Sequence, residues 1–396
     1  MKLFKSLLIA PATLGLLAPM SATANELNLA EVSGYSSSEE VQNISEFYPK
    51  ELAVTNSRVD GLEARMNNFE AGGFSETTTA SFSADMYVGS LDGGDQDGTL
   101  AGVQEDSAVM AGYSFQIDLN TSFTGEDSLD IAIDAGNASG TGVAEFDGNS
   151  SGDGLKVDGV SYTFPVGDST TVIVGDNTDG SALFTTACAY GGPSNTLDDC
   201  GNVNAGITNG GAMVGVAYDF GNGFTVATGY AGPESGIATL ESADAYGFNA
   251  AYTGDNYGIS VTYGVTDNAA FTDTPDNTGF TADEYTALNA YYTADGLPSI
   301  SVGYEFGDIG GATDATDETS SFFVGVSGEV GPGTAGVALG YSDIVEDADE
   351  EYMYEAYYSY PINDGMTVTP LFFVKEKATT GVDDETGVMV KTSFSF

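Results

Sequence analysis

The last ten residues, Gly387-Val-Met-Val-Lys-Thr-Ser-Phe-Ser-Phe396, alternate with a period of two. Val388, Val390, Thr392, Phe394 and Phe396 fall on one side; Met389, Lys391, Ser393 and Ser395 fall on the other. That period belongs to a β-strand with two unlike faces. A soluble sheet seldom ends on an exposed Phe-Ser-Phe. A barrel strand ends so readily when its apolar face meets lipid and its polar face meets water inside.

The rest of the chain is built the same way. Beyond the first ~20 residues no run approaches the roughly 18 apolar residues of a membrane-crossing helix. Hydropathy is blind to alternating strands, so this leaves a membrane barrel open. The 53 Gly, 22 Tyr and 22 Phe, set in short alternating segments, point to an all-β chain.

The N-terminus is organised differently. Lys2 and Lys5 precede an apolar stretch from Leu7 to Ala18, and Ala22-Thr23-Ala24 offers small residues for cleavage. This predicts a secretory signal peptide over 1–24 and an exported mature chain. Residues 25–48 read as a polar linker. Pro49 opens a predicted short coiled-coil helix over 49–71, whose seam is Leu52, Thr55, Val59, Leu62, Met66 and Phe69. Its spacings of three and four are those of a heptad. Gly72-Gly73 ends it.

From 75 to 396 the predicted strands are sixteen: 76–89, 107–122, 128–136, 155–166, 170–176, 212–220, 224–232, 244–253, 257–266, 284–294, 299–307, 320–330, 334–342, 351–361, 366–375 and 387–396. Tight turns such as Thr124-Gly-Glu-Asp127, Gly221-Asn-Gly223, Gly331-Pro-Gly333 and Asn363-Asp-Gly365 carry the residues that chain reversal requires. Longer polar segments, among them 90–106, 137–154 and 177–211, alternate with these turns. Short turns on one side and long loops on the other are the rhythm of a transmembrane, antiparallel, up-and-down β-barrel. About sixteen strands leave a wet interior.

Parity assigns faces. In the second strand Val109, Tyr113, Phe115, Ile117 and Leu119 are predicted outward, with Ser114, Gln116, Asp118 and Asn120 inward. Asp130 and Asp134 in the third strand, Glu305 in the eleventh, Glu355 in the fourteenth, Lys375 in the fifteenth and Lys391 in the last are also predicted to face the pore. The fourth strand conflicts: the parity of Val160, Tyr162 and Phe164 puts Lys156 and Asp158 outward unless a bulge intervenes or those residues stand above the lipid. Cys188 and Cys200, both in the longest loop of an exported chain, are predicted to form a disulfide.

Several stretches resemble the cyanobacterial outer-membrane porins, a family that includes carbohydrate-selective and iron uptake porins. These are Arg58-Val-Asp-Gly-Leu-Glu-Ala-Arg65, Phe69-Glu-Ala-Gly-Gly-Phe74, Thr77-Thr-Thr79, the cysteine pair and the final Phe. The resemblance implies a periplasmic coiled-coil stalk leading into the barrel, a homotrimer and residence in outer-membrane lipid. A terminal aromatic, here Phe396 with Phe394, resembles the signal read by the barrel-assembly machinery. Family members usually carry an S-layer-homology domain that grips the cell wall. Only Ile44-Ser-Glu-Phe-Tyr-Pro49 resembles its opening, so the wall stays open as a partner. In trimeric porins the third long loop folds into the lumen. By that resemblance Tyr190, Asp198 and Asp199 would lie at a constriction; otherwise the disulfide staples a surface loop.

The formal charge is −50, which repels nucleic acid and draws in cations. Beyond Gly73 the bases are Lys156, Lys375, Lys377 and Lys391. Acidic runs such as Glu346-Asp-Ala-Asp-Glu-Glu351 and Asp383-Asp-Glu385 are predicted to ring the outer mouth, with loose Ca or Mg as their only expected ion. Lys391 facing Asp198 and Asp199 would set a transverse field. The chain has no His, which removes Ser-His and Asp-His chemistry; no cofactor and no catalytic residue is expected. The reading is a porin for passive diffusion of small hydrophilic solutes and inorganic ions, cation-preferring. A carbohydrate-selective or iron uptake channel of the same fold is the alternative within the class. An acidic secreted structural or adhesive β-protein is the alternative outside it.

Overall fold

A computed structural model describes residues 78–94, 109–138, 144–146, 148–149, 152–207, 211–239, 242–268, 281–312, 316–346, 348–378 and 381–396. The predicted leader, the polar linker and the seam from Leu52 to Phe69 lie outside the described residues.

Sixteen strands form one closed antiparallel ring. They are β1 (Thr78–Gly94), β2 (Val109–Thr121), β3 (Ser128–Gly136), β4 (Lys156–Val166), β5 (Thr170–Asp176), β6 (Ala212–Asp219), β7 (Phe224–Gly232) and β8 (Ala245–Thr253). There follow β9 (Tyr257–Asn268), β10 (Thr281–Thr293), β11 (Ser299–Asp308), β12 (Glu318–Val330), β13 (Gly333–Val345), β14 (Met353–Asn363), β15 (Met366–Lys375) and β16 (Asp383–Ser395). Each strand pairs with its neighbours in sequence, and β1 meets β16 to close the cylinder. Closure leaves no sheet edge, so every ladder bond is made within the wall.

The alternation works as the sequence reading requires. In β11 Ile300, Val302, Tyr304 and Phe306 are each more than 40% exposed, whereas Ser301 and Glu305 are at 1% and 2%. Apolar exposure of this kind recurs around the wall, at Phe248, Ile259, Leu288, Val337, Tyr354, Phe372 and Val388. A water-soluble protein turns such faces toward its core; a membrane barrel turns them toward lipid.

The conflict in the fourth strand resolves through a bulge. Ala132 of β3 pairs with Gly159, but Ile133 pairs with Val157, so Asp158 is an extra residue in β4. One added residue flips parity. Lys156 therefore comes opposite the inward Asp134, and Val157 opposite the outward Ile133. At the seam, Phe82 and Phe396 exchange backbone hydrogen bonds at 3.0 Å each way, and their rings stack with centroids 5.8 Å apart. β16 begins earlier than its hydropathy suggests, because Asp383 still finds a ladder partner in Gly94.

Candidate functional site: two loops inside the barrel

The described part of the β5–β6 loop, residues 177–207, lies against the inner wall. Ala187, Tyr190, Leu197, Cys200, Ala205 and Ile207 are all at most 3% exposed. A buried loop must satisfy its backbone polar groups, and inward wall residues do so here. Asn249 of β8 accepts from Thr185 N at 3.0 Å, and Ser260 of β9 from Ala187 N at 2.9 Å. Ser301 of β11 accepts from Ala189 N and Tyr190 N at 2.9 and 3.1 Å. On the return path, Glu305 accepts from Asn204 N at 2.9 Å and Ala205 N at 2.7 Å. Asn289 of β10 donates to Cys200 O at 2.8 Å.

Glycine makes this approach possible. A Cβ on Gly303 of β11 would collide with the Cys200 carbonyl, and one on Gly264 of β9 with the Ala205 carbonyl. Strand glycines mark close approach of a second backbone.

Cys188 and Cys200 are joined as a disulfide with a Cα–Cα distance of 6.4 Å. The loop they close carries Tyr190, whose ring packs on Phe323 and Tyr357 with centroids 5.3 and 5.8 Å away. Its phenol donates to Glu355 Oε1 at 2.6 Å. Burial, and then the Glu355 charge, push that phenol far above its ordinary range. It stays a donor.

A second loop enters too, where the sequence alone predicts a long external segment. Among the described residues, the β3–β4 connection carries a 3-10 turn, Ala144–Phe146. Phe146 is 2% exposed and lies 5.6 Å from the Tyr87 ring of β1. Nearby, Asn149 N donates to Ser114 Oγ of β2 at 2.7 Å. The available signal was Phe146 itself, an isolated aromatic in a polar run.

The predicted pore residues fall into four groups. Asp118 and Asp130 face inward half-exposed: Asp118 accepts from Gln116 Nε2 at 2.7 Å, and Asp130 from Asn120 Nδ2 at 2.6 Å. Asp134 is buried opposite Lys156. Glu305 and Glu355 face inward but lie beneath the β5–β6 loop at 2% and 4% exposure. There they hold the loop, and water reaches them little. Lys375 pairs with Glu145 at 3.3 Å, and the Lys391 ammonium lies 5.9 Å from the Phe146 ring centroid. Asp199 is buried and Asp198 half-buried in the loop. Among the described residues no three His, Cys, Asp or Glu side chains cluster so as to hold a metal ion.

The barrel fold has solved counterparts. The barrel is similar to OprB of Pseudomonas putida, with a TM-score of 0.57 at 15% identity over 81% of this chain and 94% of that one. It is also similar to a triple mutant of Rhodopseudomonas blastica porin, with a TM-score of 0.54 at 14% identity over 81% of this chain and all of that one. The chain has the porin barrel fold. An uncharacterized protein of Nostoc sp. strain PCC 7120 is 24% identical over 90% of this chain and 72% of its own length. No protein-family model matches the chain.

Proposed function

We propose that this protein is an outer-membrane porin through which small hydrophilic solutes and inorganic ions diffuse passively, with a preference for cations. The observation that carries the reading is the closed wall, apolar outside and polar inside, with a disulfide-bearing loop packed on its inner face. Eight strands would fill with side chains; sixteen leave room for an aqueous path beside such a loop.

Charge supports the ionic preference. Asp118 and Asp130 stand half-exposed on the inner face of β2 and β3, and Lys375 is already neutralised by Glu145. Carboxylates in a confined path raise the local cation concentration. In this reading the long loops face the exterior, the segment before β1 forms a periplasmic stalk, and three copies associate. Iron or carbohydrate selectivity is not part of it.

Purified protein in planar bilayers tests the proposal. The expected result is conductance in steps of three, with a reversal potential on the cation side in a KCl gradient. Anion preference would overturn the ionic part. A protein that stays dissolved without detergent and passes no current would overturn the whole.

A further inference from the structure

We propose that Glu145 clasps the two lumenal loops into a single constriction, so that the β3–β4 loop as well as the disulfide loop sets the width of the passage. This rests on the reading that the barrel conducts.

The contacts of Glu145 cross between elements. Its carboxylate accepts from Thr196 N at 3.2 Å and from Thr196 Oγ1 at 3.0 Å, both in the β5–β6 loop. The same carboxylate takes the Lys375 ammonium of β15 at 3.3 Å. Lys375 also donates to Thr196 Oγ1 at 3.1 Å, closing a triangle of acid, hydroxyl and ammonium. The backbone adds a strut, since Asn195 N donates to the Glu145 carbonyl at 2.7 Å.

The next residue fixes the other side. Phe146 is wedged against Tyr87 of β1 and under Lys391 of β16. The 3-10 turn therefore bridges from the β16–β1 wall to the tip of the disulfide loop. No strand pairing runs through 144–146, so the wall closes without it. The contacts it makes join loops to each other and to the inner face.

Lys375 reinforces the assignment. Both partners keep little exposure, with side chains at 25% and 15%. A charge left alone in such a place is costly, so Lys375 holds Glu145 inward. Removing Glu145 frees three donors on two elements at once.

The charge effect and the clasp effect have opposite signs. Losing an acid alone lowers cation concentration in the path and lowers conductance. Losing a clasp lets the loop tip move and raises conductance and current noise. Glu145→Ala, Glu145→Gln and Lys375→Met are compared with the parent protein, each first shown to migrate as a folded barrel. Readouts are single-channel recording and hydrogen–deuterium exchange in detergent. The expected result is higher conductance and noise for Glu145→Ala, with Glu145→Gln between it and the parent. The Thr196 amide, which donates to the Glu145 carboxylate, then exchanges about tenfold faster, the factor for one lost charge-assisted hydrogen bond, while the Asn195 amide keeps its bond to the Glu145 backbone carbonyl. Unchanged exchange at 194–197, or conductance that falls with the lost charge, overturns the proposal. If the parent protein passes no current, the porin reading falls, and exchange alone decides whether Glu145 joins the loops.

Discussion

Tyr190 donates to Glu355 at 2.6 Å across 165 residues of chain, tying the disulfide loop to the inner face of β14. Removing this hydroxyl leaves a buried carboxylate short of a donor. Tyr190→Phe is expected to cost about 1–3 kcal/mol of loop anchoring, read as a lower denaturation midpoint. The phenol is held far above its usual range by burial and then by Glu355. A raised phenol contributes fully below its unfolded value of about 10, weakens above it, and is lost as pH climbs through the higher folded value. Tyrosinate absorbance at pH 11 should therefore show exposed tyrosines ionised, with no difference between parent and Tyr190→Phe. A difference of one tyrosinate would refute the buried donor.

Acid sensitivity should arise at the β2–β3 turn. Asp127 accepts from Tyr162 Oη at 2.7 Å, Thr124 N at 2.7 Å and Phe123 N at 2.9 Å. These bonds, Tyr162 first, hold its carboxyl well below the usual range. Its contribution is therefore present above an unfolded pKa of about 3.9 and lost as pH falls through the lower folded value. Asp127→Asn is expected to flatten the pH dependence of stability below pH 4 and to leave it unchanged at pH 7 to 8. Denaturant midpoints across pH 2–8 measure this. Equal slopes in both proteins would show that the turn carries no acid lability.

The disulfide closes a segment with a separation of 12 residues. In the chain-entropy model such a loop contributes about 3 kcal/mol. Cys188→Ser with Cys200→Ser should leave the wall intact and loosen the loop. The expected signs are faster amide exchange at 188–200 and noisier single-channel current. Reduction of the parent protein should reproduce both.

Gly303 has no space for a side chain because the Cys200 carbonyl occupies it. Gly303→Val is expected to push the loop off β11 at a cost of about 1–3 kcal/mol, while the strand itself still pairs. Tyr190 would then become exposed, and chymotrypsin should cut at a site closed in the parent. Val302→Leu, on the outer face of the same strand, serves as the control and should not open it.

The wall was legible because strand parity is a local property. A side chain's face follows from its neighbours two residues away, so Glu305, Glu355, Lys375 and Lys391 could be placed inward without any knowledge of the fold. Parity alone leaves the fourth strand in conflict, and the single bulged residue Asp158 resolves it. The entry of the cysteine loop was suggested by resemblance, and nothing in the residues alone decided it. The partner loop at 144–146 escaped altogether, since a lone Phe in a polar run has no period to read.

What the amino-acid order determined by itself is the cylinder: sixteen alternating segments, their turns, and which side chains meet lipid or lumen. Only the tertiary structure decided what fills the lumen. Apart from the β1–β16 seam, ladder pairing joins segments that follow one another, whereas Glu145 meets Lys375 across 230 residues and Asn204 meets Glu305 across 101. Contacts of that reach exist only where the closed ring brings far-apart segments together. Away from that ring, Gly303 has no loop to accommodate and Glu355 has no phenol to receive.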